Sequence, residues 1–471
     1  MEKWLPILSS LLLPLAGLST FEPSCKFHLS FLQGQQLTCN NVNMNYFHTV
    51  DIPLNRTHWF KCHNCTLDVL DESTFKFPKR NNISVVDLAY CGVRVLRKYA
   101  FENFFLMKVL VLHNNSIQIL ETMCFSGIKR VVHLDLSTNY IKILANNLFL
   151  ELENLDILNL SNNQIVYINS EAFCGLSNLK YLYLNYNNLD KLEENTFRHL
   201  QNLKILYLEH NRIHNIHPNA FNNLANLNFL YISHNSITYL VQYNFKQLTS
   251  LLDLQLSFNN ITEIQTSAFN GLKNLRSLHL GNNYLEYIKP YGFVGLDSLE
   301  VLDLVNNFFD FINFFDSFGH LENLRYLWLN RNFIGNITFD YKYEVQNVLT
   351  ILDVSENNLS SFNFTLFYKY LPNVKEIVIA NNSWDCDFFV EMYKFFEETN
   401  TTVCITSSCD VNATEVYTDE ICVNSDVETT EGGKEDVSMD FSTDQGFIHE
   451  CSWSIILLCL GTVLLEYGVS S

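Results

Sequence analysis

The stretch "LKYLYLNYNNL", residues 179–189, contains the repeating pattern from which the fold is predicted. Apolar Leu179, Leu182 and Leu184 recur at fixed spacing, and Asn187 closes the phrase. The same phrase recurs along most of the chain at intervals of 24 residues, and of 25 residues in its last three copies. The closing positions are Cys91, Asn115, Asn139, Asn163, Asn187, Asn211, Asn235, Asn259, Asn283, Asn307, Asn332, Asn357 and Asn382, and a weaker copy ends at Cys65.

Each unit is predicted to begin with a short parallel strand whose apolar residues point into a shared core. One unit cannot bury its own apolar face, so the units must stack into a solenoid. The closing asparagine lies where the chain turns away and is expected to satisfy backbone groups of adjacent turns. Later apolar positions are predicted to pack on the convex side. They include Leu189, Leu192, Phe197 and Leu200, and an Ala-Phe pair that recurs at Ala100-Phe101, Ala172-Phe173, Ala220-Phe221 and Ala268-Phe269.

With these repeats, the chain resembles an extracellular leucine-rich repeat protein of the 24-residue class over residues 25 to about 422. The segment "NNSWDCDFF" is similar to the C-terminal cap of that family. Trp384 and Cys386 match its pattern, whereas Ser383 and Phe388 replace the usual Pro and a second Cys. The resemblance implies an α/β leucine-rich repeat solenoid, a curved horseshoe with a parallel sheet on its concave face and a cap at each end.

The cysteines are divided between the caps and the core. Cap disulfides of open connectivity are expected from Cys25, Cys39, Cys386, Cys404, Cys409 and Cys422. Buried free thiols are expected at Cys91, Cys124 and Cys174. Cys62 and Cys65 in "CHNC" suggest zinc, but no second Cys or His pair follows at finger spacing. A cap disulfide or two buried thiols is therefore the preferred interpretation, and we predict no metal and no cofactor.

The two ends of the chain read as targeting segments. The first residues, "MEKWLPILSSLLLPLAGLST", match a secretory signal peptide. The final apolar run is too short for a typical spanning helix and lacks basic flanks, which favours a lipid-anchor signal with Ser442 as one attachment site. A single span and a secreted product are the alternatives. The predicted divisions are 1–20 signal peptide, 21–56 N-terminal cap, 57–382 about 14 repeats, 383–422 C-terminal cap, 423–450 acidic stalk and 451–471 hydrophobic tail.

Asn-x-Ser/Thr sequons suit a chain that passes through the secretory pathway. One of them, Asn159, lies between Leu158 and Leu160 and should point out of the sheet, where a glycan would obstruct the concave face. The predicted glycosylation sites are Asn55, Asn64, Asn82, Asn114, Asn159, Asn260, Asn336, Asn358, Asn363, Asn381, Asn400 and Asn412.

A row of outward tyrosines is the strongest candidate for a binding site. Tyr183 lies between two inward leucines, and Tyr207 and Tyr231 occupy the same position in the next two repeats. Strands about 4.8 Å apart would align the three rings, and such rings anchor many protein interfaces. Alternatively, the rings only stabilise neighbouring strands. The surrounding candidates are Tyr181, Tyr186, Phe229, His210 and His234, and a second outward group is Arg325, Tyr326, Trp328 and Arg331.

Two further features allow a simple structural interpretation. His210 and His234 occupy matching positions and could titrate together or hold a metal, but we interpret them as a solvated rim. The segment "FFDFINFFDSF", residues 308–318, has more Phe than the repeat needs. Its surplus residues are predicted to form an apolar surface patch or to pack locally around a one-residue insertion. They are Phe308, Phe311, Phe314 and Phe315.

The sequence favours a binding protein rather than an enzyme. It has no Gly-rich phosphate loop, no Gly-x-Ser-x-Gly motif and no paired carboxylates in the concave positions of adjacent repeats. Its formal charge of −20 argues against nucleic acid and anionic lipid as partners. The resemblance to insect-type surface leucine-rich repeat proteins, of the lipid-anchored adhesion or the leucine-rich immune kind, implies a protein ligand, receptor or second copy as partner. We expect a cell-surface adhesion protein or co-receptor, or alternatively a recognition protein of innate immunity.

Overall fold

The computed structural model describes residues 24–30, 34–49, 57–75, 77, 81–339, 348–405 and 422–423. Their main element is a 17-stranded sheet to which successive repeats each contribute one strand. The first two strands pair antiparallel, and all the later pairs are parallel, with one register shift between β2 and β3 at Gln35 and Gln36. Fourteen strands of this sheet lie between residues 57 and 382. The predicted repeat solenoid is therefore confirmed.

The strands in chain order are β1 Ser24–Ser30, β2 Gly34–Asn40, β3 Thr57–His63, β4 Val69–Leu70, β5 Val85–Asp87, β6 Val95–Leu96, β7 Val109–Val111, β8 Ile119–Leu120, β9 His133–Asp135, β10 Ile143–Leu144, β11 Ile157–Asn159, β12 Tyr167–Ile168, β13 Tyr181–Tyr183, β14 Lys191–Leu192, β15 Ile205–Tyr207, β16 Asn215–Ile216, β17 Phe229–Tyr231, β18 Tyr239–Leu240, β19 Asp253–Gln255, β20 Glu263–Ile264, β21 Ser277–His279, β22 Val301–Asp303, β23 Phe311–Asn313, β24 Tyr326–Trp328, β25 Asn336–Thr338, β26 Ile351–Asp353, β27 Glu376–Val378, β28 Trp384–Asp385, β29 Thr402–Cys404 and β30 Cys422–Val423. The helices are α1 Met44–Thr49, α2 Phe314–Phe318, α3 Phe364–Tyr370 and α4 Cys386–Glu398. Opposite the large sheet, the chain forms mainly turns and short strands such as β14 and β16, which pair with each other.

The closing asparagines form the predicted ladder. Asn187 is 5% exposed, and its amide nitrogen donates to the carbonyl oxygens of Leu160 and Leu184, both at 3.0 Å. Its side-chain oxygen accepts from the backbone N–H of Ile165 at 2.9 Å. Most closing asparagines repeat this arrangement, so buried backbone groups of adjacent turns are satisfied without water.

A column of buried phenylalanines runs along the side opposite the large sheet. From Phe101 to Phe318 the rings stack one per repeat, with successive centroids 5.8 to 6.5 Å apart. The recurring Ala-Phe pairs therefore belong to the core, as predicted. The inward leucines, such as Leu182 and Leu206, are fully buried.

Each end of the described solenoid has a distinct cap. At the N-terminal end, β1 and β2 form a hairpin closed by the Cys25–Cys39 disulfide, and a second disulfide joins Cys62 to Cys65. At the C-terminal end, buried Trp384 donates its indole N–H to the carbonyl of Ile379 at 3.0 Å. The following α4 begins at an N-cap: the Asp385 side chain accepts from the backbone N–H of Phe388.

Three details of the cysteine and phenylalanine predictions are now resolved. Cys386 and Cys404 are both disulfide-bonded, whereas Cys91, Cys124 and Cys174 are free. Cys174 is only half-buried, so the prediction that it is buried was wrong. Of the two alternatives for the surplus phenylalanines, local packing holds for Phe314 and Phe315, which are 1% and 6% exposed because α2 turns both rings inward, whereas Phe308 and Phe311 are exposed.

Other predictions fall outside the described residues. They concern the signal peptide 1–20, Asn55, Cys409, Asn412, the stalk beyond Val423, Ser442 and the tail 451–471. Only the backbone of Cys422 is described. Within the described ranges, no helix combines the length and apolarity that a membrane span requires.

Candidate functional site

The side of the large sheet that faces solvent, here called the open face, contains the predicted tyrosine row. Tyr183, Tyr207 and Tyr231 are in-register partners on β13, β15 and β17. Their ring centroids are 4.6 and 4.9 Å apart, with interplanar angles of 6° and 19°. The rings are half-buried because each covers its neighbour's face. Tyr181 and Phe229 lie beside the row on the same strands.

A second aromatic row runs parallel to the first, in the turns that follow these strands. Tyr186, His210, His234 and Phe258 stack successively, with 4.3 Å between each pair of ring centroids. The interpretation of His210 and His234 as a merely solvated rim was therefore incomplete. Phe258 was not anticipated, although it occupies the same position, directly before a closing asparagine, as the other three residues.

The backbone at these four positions is left-handed, with φ between 53° and 56°. Asparagine occupies the equivalent position at Asn162 and Asn282, in keeping with its tolerance of positive φ. The same turn position is left-handed in other repeats too, for example at Tyr90, Thr138 and Arg331, so the continuous stack of rings distinguishes the second row. The second row is therefore a candidate contact surface in its own right.

Between the two rows lies an open depression of about 270 Å³. Its floor includes Asn185 and Glu209, which occupy the same position on adjacent turns, two residues beyond β13 and β15. Buried Oδ1 of Asn185 and buried Oε2 of Glu209 have no hydrogen-bond partner in the described part of the chain. Sequence reasoning missed this pair because neither residue belongs to an aromatic or charged pattern.

Burial dominates the electrostatics of the depression. Desolvation raises the pKa of Glu209 to about 7 and that of Tyr207 to about 12. Desolvation lowers the pKa of His210, and desolvation together with the neighbouring His210 lowers that of His234. Near pH 7 the two histidines are therefore largely neutral, and Glu209 is the group in the depression whose charge changes with pH.

A polar cluster adjoins the tyrosine row on the C-terminal side. His279 Nδ1 lies 3.4 Å from Asp303 Oδ2, and burial raises the pKa of nearby Asp253. Burial favours a neutral His279, but the hydrogen bond to Asp303 and the charges of both aspartates raise its pKa overall. On this side the tyrosine row is therefore followed by a cluster of two aspartates and one histidine, Asp253, His279 and Asp303.

The other sequence-predicted residues form separate groups. Arg325 and Arg331 are exposed, Tyr326 and Trp328 are half-buried on the open face, and Arg331 is bound to Glu356. Exposed Phe308 stacks with Tyr284 and Phe333 at 5.6 Å, away from the tyrosine row along the chain. All ten predicted glycosylation sites within the described residues are at least partly exposed.

Two clusters within the described residues have metal-binding spacing. In the first, Cys62, Cys65 and Cys91, the first two thiols are already joined in a disulfide. In the second, Glu171, Cys174 and His199, the carboxylate is bound to Arg198 and lies 3.0 Å from His199 Nε2. The ligand atoms of the first cluster are partly used in a disulfide, and the carboxylate of the second is paired with Arg198 and His199. Neither cluster therefore supports a resident metal.

The sequence comparison identifies the repeats. The family model described as "Leucine rich repeat" matches six overlapping segments, 81–141, 130–189, 153–213, 177–237, 201–261 and 249–309. Residues 81–309 belong to the leucine-rich repeat family. Both aromatic rows lie within the matched leucine-rich repeats. No curated protein sequence matches the chain significantly.

Solved leucine-rich repeat structures share the fold. One is a leucine-rich repeat protein of Leptospira interrogans, with 20% identity, 78% of this chain and 89% of that chain covered, and a TM-score of 0.59. A chain of the LRIM1/APL1C complex has 18% identity, coverages of 80% and 74%, and a TM-score of 0.53. A chain of the glycosylated Toll–Spätzle complex, described as a hub in Drosophila development and innate immunity, has 16% identity, coverages of 83% and 74%, and a TM-score of 0.53.

Proposed function

We propose that this chain is a non-enzymatic binding protein that captures an extracellular protein partner on the open face of its leucine-rich repeats. The observation that carries the proposal is the pair of parallel aromatic rows at residues 183–258. Stacking fixes each ring before a partner arrives, so little side-chain entropy is lost when their edges and hydroxyls are covered. Tyrosine is enriched at the energetically dominant positions of protein interfaces.

Stabilisation of the sheet alone is a weaker explanation of this arrangement. It would account for Tyr183, Tyr207 and Tyr231, since cross-strand aromatic pairs stabilise sheets. It does not account for the stack of Tyr186, His210, His234 and Phe258, because these rings lie in turns and bring no strand pairing. Two rows that border a depression with unpaired acceptors have the composition of a recognition surface.

The proposed setting is the cell surface, where the protein would act in adhesion or as a co-receptor. This extension is supported by the sequence features of a signal peptide, sequons and a short apolar tail. The alternative, recognition in innate immunity, is favoured by the fold shared with the Toll chain, whose complex is described in those terms. Induction of expression by infection would favour the immune role, whereas partners restricted to neighbouring cells would favour adhesion.

The test is capture of surface and secreted proteins by the full chain displayed on cells. Replacing Tyr183, Tyr207 and Tyr231 by serine should abolish specific capture. The matched control replaces exposed Tyr239, Tyr243 and Tyr287, which lie away from the open face, by serine and should leave capture intact. Thermal melting must first show that both variants are folded. Unchanged capture by a folded open-face variant would overturn the proposal.

A further inference from the structure

We infer that the depression at Glu209 and Asn185 receives a cationic side chain, arginine or lysine, from the protein partner. This inference rests on the proposed function and specifies the chemistry of one contact within it. Three independent features of the depression support it: its unpaired acceptors, its aromatic walls and its lack of a cation of its own.

The unpaired acceptors call for a hydrogen-bond donor. Buried polar atoms in folded proteins nearly always have a hydrogen-bond partner, because an unsatisfied buried group is costly. Oε2 of Glu209 and Oδ1 of Asn185 lack one among the described residues, and both residues line the same depression. Their positions on adjacent turns are separated by about one strand spacing, roughly 4.8 Å. A guanidinium or ammonium group has enough N–H donors to serve both oxygens together.

The aromatic walls suit the alkyl stem of a long basic side chain. Tyr186, His210 and His234 border the depression on one side, and Tyr231 borders it on the other. The faces of His210 and His234 are covered within the stack, but the alkyl stem of either side chain can pack along the exposed ring edges. The eight described residues that line the depression include no lysine or arginine. Glu209 therefore has no internal counter-ion there, and the formal charge of −20 favours approach of a basic partner.

Other ligand classes fit less well. An anion would meet the amide oxygen of Asn185 and the carboxylate of Glu209. A sugar ring would need an uncovered aromatic face, but the faces of His210 and His234 are covered by their neighbours in the stack at 4.3 Å. A neutral donor could satisfy the hydrogen bonds but would gain nothing from the charge of Glu209. A basic side chain would pair with the unpaired acceptors and with the charge of Glu209, and its stem would pack against the aromatic walls.

A cation in this site would have to bind the ionised form of Glu209, so binding should depend on pH. The titratable groups facing Glu209 are Tyr207 and Tyr231 in the strands and His210 and His234 in the turns, with Asp253 beyond Tyr231. Burial keeps both tyrosines neutral at these pH values and disfavours charge on both histidines. With the pKa of Glu209 at about 7, affinity for a cation should fall about tenfold from pH 8 to pH 6.

The experiment titrates the full chain with four blocked pentapeptides, Gly-Gly-X-Gly-Gly, where X is arginine, lysine, citrulline or norleucine. At pH 8 and physiological salt, the arginine or lysine peptide should bind at least fivefold more tightly than its uncharged counterpart. Comparison of these two cations identifies which one the site prefers. Glu209→Gln should abolish the preference and its pH dependence. Glu193→Gln, an exposed carboxylate bound to Lys191 on the opposite side, should change neither.

Thermal melting establishes that both variants are folded. Equal binding of the charged and uncharged peptides, or a preference that survives Glu209→Gln, would overturn the inference. Failure of the proposed function has a different signature: partner capture would persist in the triple tyrosine variant. If capture requires the tyrosines but not Glu209, the open-face proposal stands and the cation site is wrong.

Discussion

Asn159 and Tyr183 are direct partners in the parallel pairing of β11 and β13, so a sequon adjoins the first ring of the tyrosine row. Asn159 is half-buried, and its side-chain oxygen accepts from the backbone N–H and hydroxyl of Ser161. A glycan there would border the row without occupying it. Partner approach would then be restricted to the side of the face from Tyr183 onward.

This boundary predicts opposite effects of glycans at the two ends of the row. The native Asn159 glycan should be compatible with partner capture, and Asn159→Gln should not reduce it. At the other end, Gln255 pairs with Tyr231 and is followed by Leu256 and Ser257. Gln255→Asn therefore creates a new sequon and should abolish capture, whereas Gln255→Ser should not. Mass spectrometry verifies occupancy; capture by an occupied Gln255→Asn variant would contradict the prediction.

Neighbouring core and surface positions at β15 predict contrasting effects of the same charge. Leu206 is fully buried in the shared core, whereas Lys204 is half-buried beside it. Leu206→Asp should destabilise the protein by several kcal/mol because an unpaired carboxylate enters an apolar core. Lys204→Asp should have little effect. The effect of each variant is measured by its secretion yield and its melting temperature. Equal effects of the two variants would show that Leu206 does not point into the core and Lys204 away from it.

The raised pKa of Glu209 predicts a pH-dependent stability. Because the folded-state pKa of about 7 exceeds the unfolded value of about 4.3, the contribution of this group is favourable at low pH and is lost as pH rises through 7. Glu209→Gln should therefore stabilise the protein by on the order of 2 kcal/mol at pH 8 and by little at pH 4. Denaturant melts at both values test this, and an equal gain at each pH would contradict it.

The asparagine ladder predicts a strong local requirement for an amide. Asn187→Ala would leave the carbonyls of Leu160 and Leu184 and the N–H of Ile165 without their side-chain partners. We expect a loss of about 3 kcal/mol or more in unfolding free energy. Asn188→Ala, at the adjacent half-buried position, is the control and should cost less than about 1 kcal/mol. Similar losses in both variants would argue against the ladder.

The proposed lipid anchor predicts sensitivity to phosphatidylinositol-specific phospholipase. If residues 451–471 serve as an attachment signal, the mature chain ends before Trp453 and the enzyme should release it from cells. A transmembrane protein displayed on the same cells is the control and should not be released. Retention on the membrane, together with detection of the 451–471 tail peptide by mass spectrometry, would exclude the anchor.

The periodicity of the sequence predicted the fold because every repeat has the same local structure. Residues equivalent to Leu182 and Leu206 are buried in each repeat, and those equivalent to Asn187 close each turn. It also placed the tyrosine row, since Tyr183 lies between two inward residues. It could not show that Glu209 and Asn185 lack partners, because that depends on side-chain geometry across repeats. It left open whether Phe314 and Phe315 form a surface patch or pack locally, because the extra residue near them is absorbed by a short helix that departs from the repeat.

The spacing of the two kinds of ring stack has a consequence for the shape of any partner. On the open face the paired rings lie 4.3 to 4.9 Å apart, whereas the buried phenylalanine column on the other side advances by 5.8 to 6.5 Å per repeat. Each repeat is therefore a wedge, thinner where the rings of Tyr207 and His210 lie. Stacked wedges bend around their thin edge, so a bound protein should present a rounded projection, whereas a flat surface would touch only the rims.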